Sequence, residues 1–282
     1  MKYTWIAAAL LAASPAAMLA ADGNFDKTLH VGGGVSLSVS TGAGYIHVSP
    51  GSDGQIHIIG HVHAGHGWGN WGGSPEDAVK QVVDNPPIEQ NGNSVEIGKH
   101  TNYHNISIDY EITAPRGTVL DASSGSGDLQ LRELNGPLKA QTGSGSIEAN
   151  GFTGRVALGT GSGDIHAELH GTPDVKAETG SGSIRLSGVD GALYAQTGSG
   201  DIDIAGNPST NWKLETGSGS ISLDTGGRAK FTLDATTGSG SIHSDPPIST
   251  HGSLERHHIT GDINGGGPVV RIETGSGDVR IR

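Results

Sequence analysis

The sequence predicts an all-β protein: a parallel β-solenoid of the single-stranded β-helix or β-roll type, with coils of about 18 residues and an amino-terminal cap region containing one short helix. Three observations lead there. A six-residue motif recurs as SGSGDL (124–129), TGSGSI (142–147), TGSGDI (160–165), TGSGSI (179–184), TGSGDI (197–202), TGSGSI (216–221), TGSGSI (237–242) and TGSGDV (274–279). Its starts are 18, 18, 19, 18, 19, 21 and 37 residues apart. Apolar residues alternate with polar ones on both sides of it, the signature of a strand with one buried face.

The apolar positions line up as columns. Leu138, Val156, Val175, Leu193, Trp212, Leu233 and Val270 stand four before each Thr, and Ala140, Leu158, Ala177, Ala195, Leu214, Ala235 and Ile272 stand two before. Ile147, Ile165, Ile184, Ile202, Ile221, Ile242, Ile263 and Val279 follow the Gly-Ser-Gly. Each unit therefore reads as strand, Gly-Ser-Gly corner, strand and a second turn at Asn135-Gly136-Pro137, Gly171-Thr172-Pro173, Asp190-Gly191 or Asn207-Pro208, the residue types that turns require. One such unit cannot bury its stripe alone, whereas stacked units bury it continuously. Residues 117–282 accommodate nine coils, with ITGDI (259–263) as a degenerate copy inside the long last gap. At rung spacing these make a rod of roughly 40 Å. Glycine at the corners is expected both for positive φ and for close backbone approach.

Polar columns accompany the apolar ones. Thr142, Thr160, Thr179, Thr197, Thr216, Thr237 and Thr274 predict a stacked hydroxyl column. Lys139, Lys176, Lys213 and Arg271 run beside Gln141, Glu178, Gln196, Glu215 and Glu273 as a solvated charge face, worth little per pair. The last polar position of the motif alternates between Asp and Ser over the first six coils, which keeps stacked carboxylates apart.

Residues 1–21 read as a signal peptide: Lys2, a short apolar run from Trp5 to Ala13, then Ser14-Pro15, with cleavage after Ala20 or Ala21. No later segment is apolar and long enough to span a bilayer. The expected location is therefore outside the cytoplasm: periplasmic, cell-surface or extracellular. Residues 22–115 form amino-terminal coils and a cap, and residues 116–282 the regular repeats. In the former, Val35–Val39, TGAG and Tyr45–Val48 make a further coil, and Ile56–Val62 and Ile106–Thr113 are strands. Ser74-Pro75-Glu76-Asp77 starts a helix over 75–83, and Asn91-Gly92 marks a hairpin.

Composition narrows the function. The chain has 48 Gly and 12 Pro in 282 residues, no Cys and a net charge of -12. The missing cysteine excludes disulfides, thiolate metal sites and a Cys nucleophile. The acidic balance argues against nucleic acid and anionic membranes as partners. His57, His61 and His63 share one strand face and His66 follows, so these four are the candidate metal ligands, although a site needs three or four converging groups. His257-His258 is a weaker pair, because adjacent strand residues point to opposite faces. The Gly-Ser-Gly-Asp corners carry too few carboxylates for a calcium roll, and no helix or Lys follows them as a phosphate loop requires. No cofactor and no catalytic residue are expected.

The segment IDYEITAPRGT (108–118), followed by SGSGDLQLRELNGPLKAQTGSGSI (124–147), resembles the bacterial "putative-adhesin" family of β-strand-repeat proteins, over most of residues 25–282. The resemblance implies an exported or envelope protein, adhesive or structural, with surface glycans or proteins as partners. Two other readings remain beside it. One is a polysaccharide-active β-helix enzyme, whose acidic and basic groups would lie on the excursions 63–104 and 243–268. The other is a metal-binding exported protein built on the four histidines.

Overall fold

The computed structural model describes residues 21–65, 74–99, 105–251 and 257–282. The segment 1–20, with most of the signal-peptide assignment, and His66 lie outside them. The fold is all-β with one helix, and its sheet is mostly parallel and not closed. The alternation read from the sequence is realised residue by residue: strand Leu138–Thr142 is buried at every other position, as are Ile165–Leu169 and Ile184–Leu186. One apolar core runs the length of the molecule, from Phe25 to Ile281.

Two columns of parallel strands stack in register. In the first, Leu120, Leu138, Val156, Val175, Leu193 and Trp212 are successive partners. In the second, Leu129, Ile147, Ile165, Ile184, Ile202 and Ile221 are. The Gly-Ser-Gly corner joins the columns. Its glycines do not adopt positive φ at positions 143 and 145. Close approach is what requires them: a Cβ on Gly145 would stand 2.1 Å from the Gly127 carbonyl oxygen of the preceding rung. The second turn is less of a break than expected. Strands Ile165–Thr179 and Ile184–Ser199 pass through it while still paired, with register shifts that take up the bend.

At both ends the rungs leave chain order. Strand Val269–Ser276 pairs with Trp212–Ser218 on one side and Phe231–Ser239 on the other, and Val279–Ile281 likewise lies between Ile221–Asp224 and Ile242–Ser244. The last coil in sequence is thus the last but one in space. The ITGDI segment is not a ninth parallel coil: strand His258–Ile263 runs antiparallel to Phe231–Ser239 and to Ile248–Thr250. Asp262 therefore leaves the motif column. At the other end, Ser36–Thr41 and Ile46–Pro50 lie between the regular repeats and the strands Ser94–Ile97 and Ile106–Ala114. Antiparallel strands finish this end too, Gln55–Ala64 with Asp22–His30 and Ile88–Asn91 with Ser94–Ile97.

The helix spans Pro75–Asp84, with the Ser74 hydroxyl accepting from the Asp77 N–H at 3.1 Å and Pro75 in its first turn. It buries Val79 and Val82 against the strands Asp22–His30 and Gln55–Ala64. Gly23 makes this possible, since a Cβ there would lie 2.6 Å from Val79. On the same strand the Phe25 ring covers Gly60 and meets Tyr110 edge to face, with centroids 6.4 Å apart.

Candidate interaction surface

The repeat builds two polar ladders at the corner. The threonines stack in register from rung to rung as the sequence predicts, and their buried hydroxyls bond to corner carbonyls instead of to one another. Thr142 donates to the Gly127 carbonyl at 2.9 Å, Thr160 to Gly145 at 2.8 Å, Thr179 to Gly163 at 2.9 Å and Thr197 to Gly182 at 2.8 Å. Thr216, Thr274 and Thr237 repeat the bond to Gly200, Gly219 and Gly277. Each threonine thus supplies a hydrogen-bond donor to a half-buried or buried corner carbonyl of the neighbouring rung.

The aspartates act differently. Asp128, Asp164 and Asp201 each accept the backbone N–H of the serine one rung on, Ser146, Ser183 and Ser220, at 2.8 Å. Asp278 accepts the N–H and the hydroxyl of Ser241, both at 2.9 Å. The Ser241 backbone N–H, with its hydroxyl second, holds the Asp278 carboxyl below the usual carboxylate range. In rung order the column reads Asp128, Ser146, Asp164, Ser183, Asp201, Ser220, Asp278, Ser241, an alternation without a break.

The outward faces carry paired charges. Lys139 meets Asp121 at 3.2 Å, Arg155 meets Asp174 at 2.9 Å, Lys176 meets Glu178 at 2.9 Å and Lys213 meets Glu215 at 2.7 Å. Tyr194 sits between the ammonium groups of Lys176 and Lys213, 5.8 and 5.7 Å from its ring centre. Burial, followed by the Glu215 carboxylate, raises its phenol above the ordinary value. Arg116, Arg132, Glu133, Asn135, Asn150 and His170 line a shallow depression of about 570 Å³. There Glu133 adopts φ 51° and receives both terminal nitrogens of Arg116 at 3.0 Å. Neither this group nor Tyr194 stands out in the sequence; the isolated Glu at the end of a strand was the available signal.

The predicted histidines lie on the outer face of Gln55–Ala64, between acids of two neighbouring strands. His57 Nε2 is 2.8 Å from Asp26. His61 Nδ1 is 2.9 Å from Asn24, and its Nε2 is 3.7 Å from Glu111. His63 reaches Asp22 at 3.0 Å and Asp109 at 3.2 Å. They alternate with carboxylates along the face instead of converging, and among the described residues no group of three His, Asp or Glu is placed to hold a metal ion. His258 has a partner of its own: it lies 3.0 Å from Asp234, which Arg271 also binds at 2.8 Å. Burial works against the Asp234 carboxylate, but the bonds from His258 and Arg271 outweigh it and lower the pKa.

Stacked parallel rungs with self-paired polar ladders define a solenoid-like repeat protein. Residues 37–282 match the Toastrack DUF4097 family, and the chain belongs to that family. No curated protein matches it. Among solved structures it is similar to a "putative adhesin" from Parabacteroides distasonis ATCC 8503, at 11% identity over 92% of this chain and 97% of that one, with a TM-score of 0.43. A "putative adhesin" from Bacteroides fragilis NCTC 9343 gives 11%, 92%, 97% and 0.39. A "putative cell adhesion protein" from Clostridium sporogenes ATCC 15579 gives 14%, 92%, 99% and 0.25.

Proposed function

We propose that this protein is an exported, non-enzymatic β-solenoid of adhesin type. It holds a surface glycan or protein by repeated weak contacts along its polar faces. The observation that carries the reading is the distribution of outward charge: Asp121–Lys139, Asp174–Arg155, Glu178–Lys176 and Glu215–Lys213 recur along the stacked rungs as paired ladders. A catalytic site concentrates perturbed groups in one cleft; a ladder offers many equivalent footholds, whose contributions sum through multivalency. In this reading a coil of about 18 residues is the binding unit. The helix and the antiparallel strands close the amino-terminal end, and residues 1–21 direct export to the envelope. No helix among the described residues is long and apolar enough to cross a membrane.

The test is binding by immobilised residues 22–282 to arrays of envelope glycans and surface proteins, together with incubation of acidic and neutral polysaccharides with excess protein. Binding that weakens as internal rungs are removed, with the polysaccharides left intact, is the expected result. Release of reducing or unsaturated sugar ends, abolished by Asp77→Asn, would overturn it.

A further inference from the structure

We propose that the slot between the coils 212–224 and 231–244, filled by residues 269–281 of the same chain, also accepts that coil from a second copy. Copies would then associate by exchanging their carboxy-terminal coils.

The slot has two complete walls made from earlier residues. Trp212, Leu214 and Thr216 face Val270, Ile272 and Thr274 from one side; Leu233, Ala235 and Thr237 face them from the other. In the second column Val279 lies between Ile221 and Ile242. The bonds are those of any interior rung: Ile221 N–H to the Asp278 carbonyl and Val279 N–H to the Ser241 carbonyl, both at 2.9 Å. Both walls precede the filling coil in the chain, so during synthesis they stand without it.

The walls do not close readily on each other. Direct stacking of 231–244 on 212–224 would put Ser241 over Ser220, without the carboxylate that now accepts the Ser241 N–H and hydroxyl. The slot therefore selects an aspartate-bearing coil, and the matching one in a second copy is identical in every contact. Such an exchange creates no new interface and breaks none, which makes it a low-cost route to association.

The tether is built to open. The filling coil is joined to residues 22–263, which include both walls, through Asn264-Gly265-Gly266-Gly267-Pro268. Three consecutive residues of this turn have positive φ: 52° at Asn264, 97° at Gly265 and 75° at Gly266. Straightened, five residues reach roughly 17 Å, enough to carry the coil clear of its own slot. A short flexible tether sets an effective concentration on the order of millimolar, so exchange rises as protein concentration approaches that range. The inserted coil 36–50 at the other end is less suited, because the described chain holds it from both sides through 22–35 and 51–65.

The test uses the full chain, which has no cysteine. Ser222 and Arg280 are register partners with outward side chains. Two differently tagged proteins, one Ser222→Cys and the other Arg280→Cys, are refolded together across a concentration series and treated with a short bis-maleimide. A control pair combines Arg280→Cys with Gln130→Cys, many rungs away. The expected result is a hetero-dimer from the first pair, several-fold above the control and rising with refolding concentration. Gly266→Val should raise it further: the side chain is strained at this φ and its Cβ would meet the Asp262 carboxyl at 2.7 Å, so the closed turn is penalised. Equal yields from the two pairs, or no hetero-dimer at any concentration, would overturn the proposal whatever Gly266→Val does.

Discussion

A single side chain in this repeat matters according to whether it serves the corner or the outer face. Thr197 is buried, and its hydroxyl donates to the Gly182 carbonyl at 2.8 Å. Thr197→Val keeps the shape but strands that carbonyl, and leaving such a group unsatisfied costs about 1–3 kcal/mol. Lys176 and Glu178 are also 2.9 Å apart, but both are half exposed. Such pairs contribute about 0–1 kcal/mol, so Lys176→Ala should stay near the lower end. Urea unfolding of the two variants should therefore separate them clearly; equal losses would show that the corner carbonyl finds water. Ile184 is fully buried in its column, and Ile184→Asp should prevent a cooperative transition, because an unpaired carboxylate there has neither partner nor solvent. Asp278 adds a pH dependence. Its folded pKa is depressed, so its contribution is complete above the unfolded carboxylate pKa and is lost as pH falls through the folded one. Melting temperature against pH for Asp278→Asn should slope less across that acidic window than for the native chain.

An element's place in the stack was partly legible in the sequence, and the failure at the carboxy end has a physical cause. Period-2 patterning gave strand identity and burial, because alternation is a local property of the backbone. Stacking order was read from chain order, since consecutive coils usually stack. Two signals pointed elsewhere. The Asp/Ser alternation stops at Ser241 in chain order and is restored when the Asp278 rung is placed before it. The motif spacing of 21 between Thr216 and Thr237 also exceeds the usual 18 or 19. Crossing one extra rung of roughly 4.8 Å takes one or two extended residues, and Thr225–Lys230 supplies the surplus. Removing residues 226–228 should forbid the skip, forcing 231–244 onto 212–224. A protein carrying Ser222→Cys and Arg280→Cys should then lose the intramolecular bis-maleimide link that the full-length linker allows. The histidine environment was not legible, because its acids lie on the sequence-distant strands Asp22–His30 and Ile106–Ala114, brought alongside by antiparallel pairing.

At the scale of the molecule, stability is a sum over rungs and the interfaces between them, but the alternating carboxylates make the natural repeat two rungs long. Deleting residues 142–178 removes the rungs of Ser146 and Asp164 and leaves Asp128 beneath Ser183, the same kind of neighbour it has now. Deleting only 142–159 removes the Ser146 rung and sets Asp128 directly beneath Asp164. Two carboxylates roughly 4.8 Å apart in water repel by about 0.9 kcal/mol, and they repeat no contact found elsewhere in the column. The shorter deletion discards less apolar burial, so burial alone ranks it the more stable variant. Electrostatics opposes that ranking by an amount that salt can screen. The stability of the 142–159 deletion should therefore rise with ionic strength more steeply than that of the 142–178 deletion, which should track the native protein. Chemical unfolding in urea at low and high sodium chloride measures this directly. Parallel salt responses for the two deletions would mean that the alternation serves only to supply acceptors for the serine N–H groups, and that spacing the charges is incidental to it.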